Sequence, residues 1–337
     1  MILDANSHRF CVAPMLDWTD RHERYFLRLL SRRARLYTEM VTTGALLHGD
    51  VKRHLAFDPA EHPVALQLGG SDPSELARCA QLGADAGYDE INLNVGCPSD
   101  RVQSGRFGAC LMADSGLVAE GVRAMKRVVD IPVTVKCRTG INALDSDEFL
   151  QDFIVAVKDA GCDVLIIHAR IAILEGLSPK ENREIPPLNH ARVERMKERF
   201  PDLRIVINGG IRSLDQAEQL LTRLDGVMVG REAYHNPWLL SEVDKRLFGE
   251  TNNVDSRTEA LERFLPYVEH ELSAGTSLQH MTRHILGIFH GVPGGKAFRR
   301  HLSENAWRKN AGLSVLEDAI GKVTEFAWSY EAEDISA

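Results

Sequence analysis

Eight short apolar runs recur along the first two-thirds of the chain, and most are followed by a stretch with helical spacing. They are FCVAPM from Phe10, LYTEMV from Leu36, VALQLGG from Val64, EINLNV from Glu90, VTVKCR from Val133, VLIIHAR from Val164, RIVINGG from Arg204 and GVMVGR from Gly226. Several read as continuous rather than alternating, the pattern of parallel strands buried on both faces. Between them, SELARCAQLGADAG sets Leu76, Cys79, Ala80 and Gly83 on one helical face. EFLQDFIVAVKDAG and DQAEQLLTR carry the same period, and the former closes on Gly161 as a C-cap. Strand then helix, eight times over about 240 residues, predicts a (β/α)8 TIM barrel. The second unit is the weakest, because only TTGALLHG follows its strand. The alternative, an open doubly wound sheet binding a dinucleotide, calls for GxGxxG after the first strand, and APMLDWTD stands there instead.

From about Ser241 helical patterns continue without another strand, and GETNNVDSRTEA reads as a linker or exposed turn. The expected organisation is a barrel over residues 1–240 and a smaller all-helical domain over residues 241–337, ending in the acidic tail EAEDISA. No apolar run is long enough to span a bilayer, and MILDANSHRF has no apolar core of a secretory signal. The six cysteines, Cys11, Cys79, Cys97, Cys110, Cys137 and Cys162, form no CxxC pair. That argues against an iron–sulfur or structural zinc site and for a reduced, cytoplasmic setting. His48, His54 and His62 are scattered over loops, with no HExxH and no GxSxG, so neither a metal site nor a serine hydrolase is expected. The net charge of −8 argues against a protein coated in nucleic acid but leaves room for a local basic face.

Catalytic residues of such barrels gather at the C-terminal ends of the strands. Those ends carry Pro14 and Met15, Glu39, Gln67, Asn94 and Cys97, Lys136 and Arg138, His168 and Arg170, Asn208 with Gly209 and Gly210, and Gly230 with Arg231. Almost every polar residue of the apolar runs is expected at this end. The glycines closing strands seven and eight let backbone N–H groups approach a phosphate closely, although tight turns alone also explain them. Lys136 and His168 then stand as candidates for the body of a phosphate-bearing cofactor. A cation beside the N1–C2 edge of a flavin stabilises its reduced, anionic ring. Gln67 can bond the ring's polar edge, and Pro14, Met15 and Leu16 can bring main chain and apolar bulk against it. The residues alone do not separate flavin from another phosphate-bearing ligand. Cys97 sits just past strand four with Pro98 stiffening its turn. A thiol, with an ordinary pKa of about 8.5, can act as a general acid near neutral pH. By position alone, Cys97 is equally a catalytic acid and a packed core thiol.

The motifs APMLDWTD, QLGG, NLNVGCPSDRVQSGRFGACLM, VKCRTGI, HAR, INGGI and VGR, in this order, resemble those of tRNA-dihydrouridine synthases. GLSPKENREIPPL and GVPGGKAFRRHLSENA resemble the bacterial A-type branch, and the likeness covers about Arg9 to Asn310. The resemblance implies NADPH-driven reduction of tRNA uridines to dihydrouridine on FMN, with hydride going to C6 and Cys97 giving a proton to C5. It implies FMN contacts at Pro14, Met15, Leu16, Gln67, Lys136, His168, Asn208, Gly209, Gly210, Gly230 and Arg231. It implies that Asn94 holds the uracil edge, and that Arg183 with Lys180 faces the tRNA, as does Arg138. The A-type branch acts on D-loop positions 20 and 20a. After HAR this chain reads Ile171-Ala172-Ile173, where that branch carries a basic and an aromatic residue.

A uridine packed in folded tRNA must be extruded to be reduced, at a cost of a few kcal/mol that phosphate contacts offset. Between His280 and Asn310 the cations Arg283, Lys296, Arg299, Arg300, Arg308 and Lys309 stand against one anion, Glu304. That excess points to RNA, with Arg299 and Arg300 at its centre. Two rival readings are a small-molecule flavin reductase on the same barrel, which needs no basic helical domain, and a non-catalytic tRNA-binding protein. Nothing in the sequence calls for an obligate protein partner or a membrane.

Overall fold

The computed structural model describes Asp4, residues 6–99, Val102 and residues 104–334. Its strands are β1 (Phe10–Val12), β2 (Leu36–Thr42), β3 (Val64–Gly69), β4 (Glu90–Val95), β5 (Val133–Arg138), β6 (Val164–His168), β7 (Arg204–Asn208) and β8 (Gly226–Val229). All pair in parallel, in the order β1-β8-β7-β6-β5-β4-β3-β2. The ring closes between β1 and β2 through one parallel bridge, Cys11 to Arg35. There the Arg35 amide donates to Phe10 O and the Val12 amide donates to Arg35 O, each at 2.9 Å. The chain is therefore the expected (β/α)8 TIM barrel, followed by a helical C-terminal region.

After β1 comes α1 (Arg21–Leu30); after β3 to β7 come α2 (Pro73–Asp85), α3 (Ser115–Lys126), α4 (Asp147–Asp159), α5 (His190–Arg199) and α6 (Leu214–Leu221). Only short helical pieces, Thr43–His48 and Val51–Leu55, follow β2. The helices start where a side chain satisfies the free N–H groups of the first turn. Asp72 accepts from the amides of Ser74 and Glu75, Ser146 from Phe149 and Ser213 from Gln216. Helix α2 buries Leu76, Cys79, Ala80 and Gly83, the face its spacing implies.

Two kinds of side chain fill the barrel. Cys11, Ala13, Tyr37, Ala65, Val164, Ile166, Val206 and Met228 form an apolar cluster. On β4 the period of two puts Ile91, Leu93 and Val95 on one face and Glu90, Asn92 and Asn94 on the other, and all six are buried. The second set meets Tyr37, Gln67 and Thr134 from neighbouring strands.

Asp20–Arg32 and the chain from Arg231 onward form a second compact unit, so α1 belongs with the C-terminal helices although it follows β1. That unit contains α7 (Arg231–His235), α8 (Arg257–Ser273), α9 (Gly295–Asn305) and α10 (Leu313–Asp334). Helix α10 takes in the first four residues of the acidic tail; Ile335, Ser336 and Ala337 lie outside the described residues. Helix α1 is fixed to α8 by aromatic and ionic contacts. Phe264 is fully buried, edge-on to Phe26 at 5.2 Å and stacked near Tyr267 at 5.4 Å. Arg21 grips Glu271 with two hydrogen bonds of 2.7 and 2.5 Å. Removing the central ring leaves a cavity among its partners. Phe264→Ala is expected to cost about 3–5 kcal/mol, seen as a lowered urea midpoint in far-UV circular dichroism; a loss under about 1 kcal/mol would place the unit's core elsewhere.

Candidate active site

Strand register builds the mouth. Asn94 lies opposite Lys136, Arg138 opposite His168, and His168 opposite Asn208, on β4 to β7 in succession. Gln67 on β3 pairs with Asn92 on β4. The strand-end residues Gln67, Asn94, Lys136, Arg138, His168 and Asn208 therefore ring one opening. Pro14, Met15 and Leu16 follow β1 in a turn held by the Thr19 hydroxyl, which accepts from the Met15 amide at 2.9 Å. Leu16 is 66% exposed. Glu39 of β2 fixes the same turn by accepting from the Asp17 amide. Gly230 ends the barrel segment, and Arg231 opens α7 directly after it.

Cys97 stands two residues beyond β4, partly exposed, on a turn held from several sides. Asn94 Oδ1 accepts from the amides of Gly96 at 3.1 Å and Cys97 at 3.0 Å. The Cys97 carbonyl accepts from the Ala109 amide at 2.9 Å. This approach requires Gly108, whose φ is +77° and where a Cβ would stand 2.5 Å from that carbonyl. The thiol donates to Ser99 Oγ at 3.5 Å. Asp100, Arg101 and Gln103 of the same motif lie outside the described residues.

The charges bearing on His168 are positive. Burial, then Arg138, Lys136, Arg170 and Arg183, push His168 well below the usual imidazole range, so it is neutral at pH 7. Burial, with Arg138 beside it, brings the Lys136 amine down to about 8. At Gly209 (φ +115°) an added Cβ would meet His168 Cδ2 at 2.7 Å, and at Gly210 (φ +75°) it would meet Leu188 Cδ1 at 2.4 Å. The double glycine thus admits His168 and Leu188 against the main chain at the end of β7, as well as allowing the turn.

Arg138, expected to face RNA, is 3% exposed and donates to the carbonyls of Gly96, Ile171 and Asn182 at 2.9–3.0 Å. Lys180 and Arg183 are exposed on the loop after β6. That loop is organised by Asn182, which no sequence signal singled out. Fully buried, it accepts from the Ile173 amide at 2.7 Å and donates to the carbonyls of Ile173 and Leu177. The Ile171–Ile173 segment bridges to the loop after β5 through Ala172 and Ile141.

One expectation fails. Polar residues within the strands are not confined to the mouth, because Glu90, Asn92 and Thr134 lie fully buried below it. In the helical unit, Arg283 is committed to Asp20 at 2.6 Å. Lys296, Arg299, Arg300, Arg308 and Lys309 take part in no ion pair among the described residues. Beside them Trp307 is 63% exposed, a large flat surface that the sequence reading passed over, although it immediately precedes Arg308 and Lys309.

Compared with known proteins, residues 11–324 match the family described as dihydrouridine synthase (Dus). A tRNA-dihydrouridine(20/20a) synthase of Vibrio cholerae is 60% identical over 319 residues, 94% of this chain and 97% of that protein. One from Shewanella oneidensis is 62% identical over 314 residues, 93% of each chain. One from Escherichia coli K12 is 60% identical over 320 residues, 95% of this chain and 92% of that protein.

The state of Lys136 generates a pH dependence. In the free protein its amine loses a proton near pH 8, and a ligand that accepts a hydrogen bond from the ammonium raises that value. Binding then takes up a proton above pH 8. The affinity for such a ligand, followed with a fluorescent flavin phosphate as probe, is expected to fall by up to about tenfold per pH unit above 8. Lys136→Met should flatten the slope; an equal slope in this variant would assign the proton to another group.

Proposed function

The chain belongs to the dihydrouridine synthase family and is an enzyme that reduces uridine to dihydrouridine in tRNA; we propose that it acts at D-loop positions 20 and 20a, with FMN as resident cofactor and NADPH as electron source. The residues present fit such a cofactor. The positive charges around His168 suit an anionic or electron-rich partner, and the main chain of half-buried Gly209 and exposed Gly210 can be reached by a closely approaching group. Lys136, His168, Gln67, Asn208, Gly209 and Gly210 would hold the cofactor, with Pro14, Met15 and Leu16 against its ring and Gly230 and Arg231 toward its phosphate. When bound, FMN would supply the hydride for C6 of the uracil, with NADPH as the electron source.

The chain's own residues do the rest. Cys97 gives its thiol proton to C5, and the observation that carries this reading is the turn that fixes it: both backbone groups of Cys97 are bonded, while the thiol stays partly open. Asn94, with one amide hydrogen beyond those the protein uses, orients the uracil edge. Arg138 serves the RNA side by pinning Gly96, Ile171 and Asn182, and so the loop that presents Lys180 and Arg183. Ile171 and Ile173 offer the RNA an apolar surface.

The base must leave the tRNA stack to reach the thiol. The helical unit pays toward that with phosphate contacts from Lys296, Arg299, Arg300, Arg308 and Lys309, and Trp307 offers a face on which an unpaired base can stack. No helix among the described residues is long and apolar enough to cross a membrane, and all six cysteines are free thiols, which suits a cytoplasmic enzyme.

Cys97→Ala is expected to keep FMN and NADPH-driven flavin reduction but slow the tRNA half-reaction by about 10²–10⁴-fold. Normal single-turnover reduction of tRNA by this variant would remove Cys97 from the chemistry. On the RNA side, Arg299→Ala with Arg300→Ala should weaken tRNA binding and reduce the slope of log affinity against log salt by nearly 2. Trp307→Ala should instead weaken binding by about 1–3 kcal/mol without changing that slope. Filter binding from 50 to 200 mM salt separates the two effects, and wild-type curves for both variants would move the RNA interface off this unit.

A further inference from the structure

We propose that Glu90, at the N-terminal end of β4, is a positioning residue for Cys97, acting up the barrel interior through a one-way chain of hydrogen bonds. The proposal rests on the reading of Cys97 as proton donor and adds what sets the thiol's place.

The chain can be followed link by link. Glu90 Oε1 accepts from Thr134 Oγ1 at 2.5 Å and from the Tyr37 hydroxyl at 2.9 Å. Asn92 Nδ2 donates to Thr134 Oγ1 at 2.8 Å. Gln67 Nε2 donates to Asn92 Oδ1 at 2.7 Å, and Asn94 Nδ2 donates to Gln67 Oε1 at 2.8 Å. Asn94 Oδ1 then accepts from the amides of Gly96 and Cys97. The four strand steps from Glu90 to Asn94 span about 13 Å.

Neither end of this chain can be reversed. An ionised carboxylate only accepts, so Thr134 must spend its single hydrogen on Glu90 and its oxygen must accept from Asn92. That choice turns the Asn92 oxygen toward Gln67, the Gln67 oxygen toward Asn94, and the Asn94 oxygen toward the thiol turn. At the far end a backbone N–H only donates, so an inverted Asn94 would set donor against donor and release the turn. Glu90 is kept ionised by its surroundings: Arg35 Nη1 lies at 3.3 Å and His8 Nε2 at 2.6 Å from Oε2. Although burial alone would raise it, these partners and Thr134 hold the carboxyl at about 2. Every residue of the relay is buried, with Asn94 the most open at 8% exposed.

Altering Glu90 itself risks losing the fold, because Arg35 and His8 would lose their partner. Thr134 is the cleaner probe. Thr134→Val keeps the side chain's shape and removes the hydroxyl; Thr134→Ser keeps the hydroxyl and removes the methyl. Three readouts are taken on the full-length, FMN-loaded protein: single-turnover tRNA reduction, the rate of iodoacetamide alkylation of Cys97 resolved by peptide mass spectrometry, and melting temperature. Thr134→Val is expected to slow tRNA reduction by about 10–100-fold, the range for a displaced reacting group, in the limiting single-turnover rate rather than in the half-saturating concentration, and to change Cys97 alkylation at least about threefold. Thr134→Ser should restore both. Wild-type reduction and alkylation in Thr134→Val would overturn the proposal, as would slowed reduction with unchanged alkylation. Equal defects in both variants, tracking a lowered melting temperature, would reduce Thr134 to packing. An active Cys97→Ala enzyme would sink the proton-donor reading alone, since alkylation still reports whether the relay sets the thiol.

Discussion

A polar group inside a closed parallel barrel has no water to return to, and this chain places a carboxylate there. Glu90 is fully buried, and the loss of hydration is offset only because each of its oxygens has partners: Thr134 and Tyr37 on one, His8 and Arg35 on the other. Arg35 links this cluster to the architecture. Its backbone makes the bridge that closes the ring between β1 and β2, and its guanidinium stands beside Glu90. The same residue therefore serves the closure of the barrel through its backbone and the interior charge through its side chain.

The opposite end of the barrel is built on the reverse principle. There burial, and after it Arg138, Lys136, Arg170 and Arg183, push His168 down, so a neutral ring balances none of these charges. The helical unit sorts its charges in the same way. Arg21 and Arg283 are spent internally on Glu271 and Asp20, whereas Lys296, Arg299, Arg300, Arg308 and Lys309 are left for solvent or an anion. A net charge of −8 conceals this, because the acidic residues that set it are distributed elsewhere. Pairing, not composition, identifies the surfaces that suit phosphate.

The eight strands were legible because parallel strands buried on both faces leave runs of Val, Ile and Leu that stand out from the helices between them. The residues of the mouth were legible for a related reason: once the strands are placed, their C-terminal ends are known. What escaped was contact at long range. The period-two set Glu90, Asn92 and Asn94 was present in EINLNV, but its meaning depends on Thr134 and Gln67, which belong to other strands. The pairing of α1 with α8 joins Arg21 to Glu271 across 250 positions, beyond any local period. Arg138 looked like a cation for RNA, and only the folded structure shows it buried, with Nε and Nη1 donating to three carbonyls. Gly209 and Gly210 read as a turn open to a phosphate or simply a tight one, but the approach of His168 and Leu188 that excludes a Cβ there was not legible.

The location of Cys97 beyond the end of β4 makes these contacts necessary. The pairing of β4 with β5 ends at Val95 and Cys137, so the sheet itself does not hold the thiol. A reacting atom nevertheless has to be held to within about half an ångström. Accounting for the backbone of Gly96 and Cys97 shows how this is met. The two amides donate to Asn94, the Gly96 carbonyl accepts from Arg138 Nε at 3.0 Å, and the Cys97 carbonyl accepts from Ala109. All four groups are taken, by partners from β4, β5 and the segment after the thiol turn. Two of these partners are fixed in turn, Asn94 by Gln67 and Arg138 by the loop after β6. A thiol on a turn beyond the last strand pair thereby acquires a backbone as fully bonded as that of a strand, while the residue stays partly exposed.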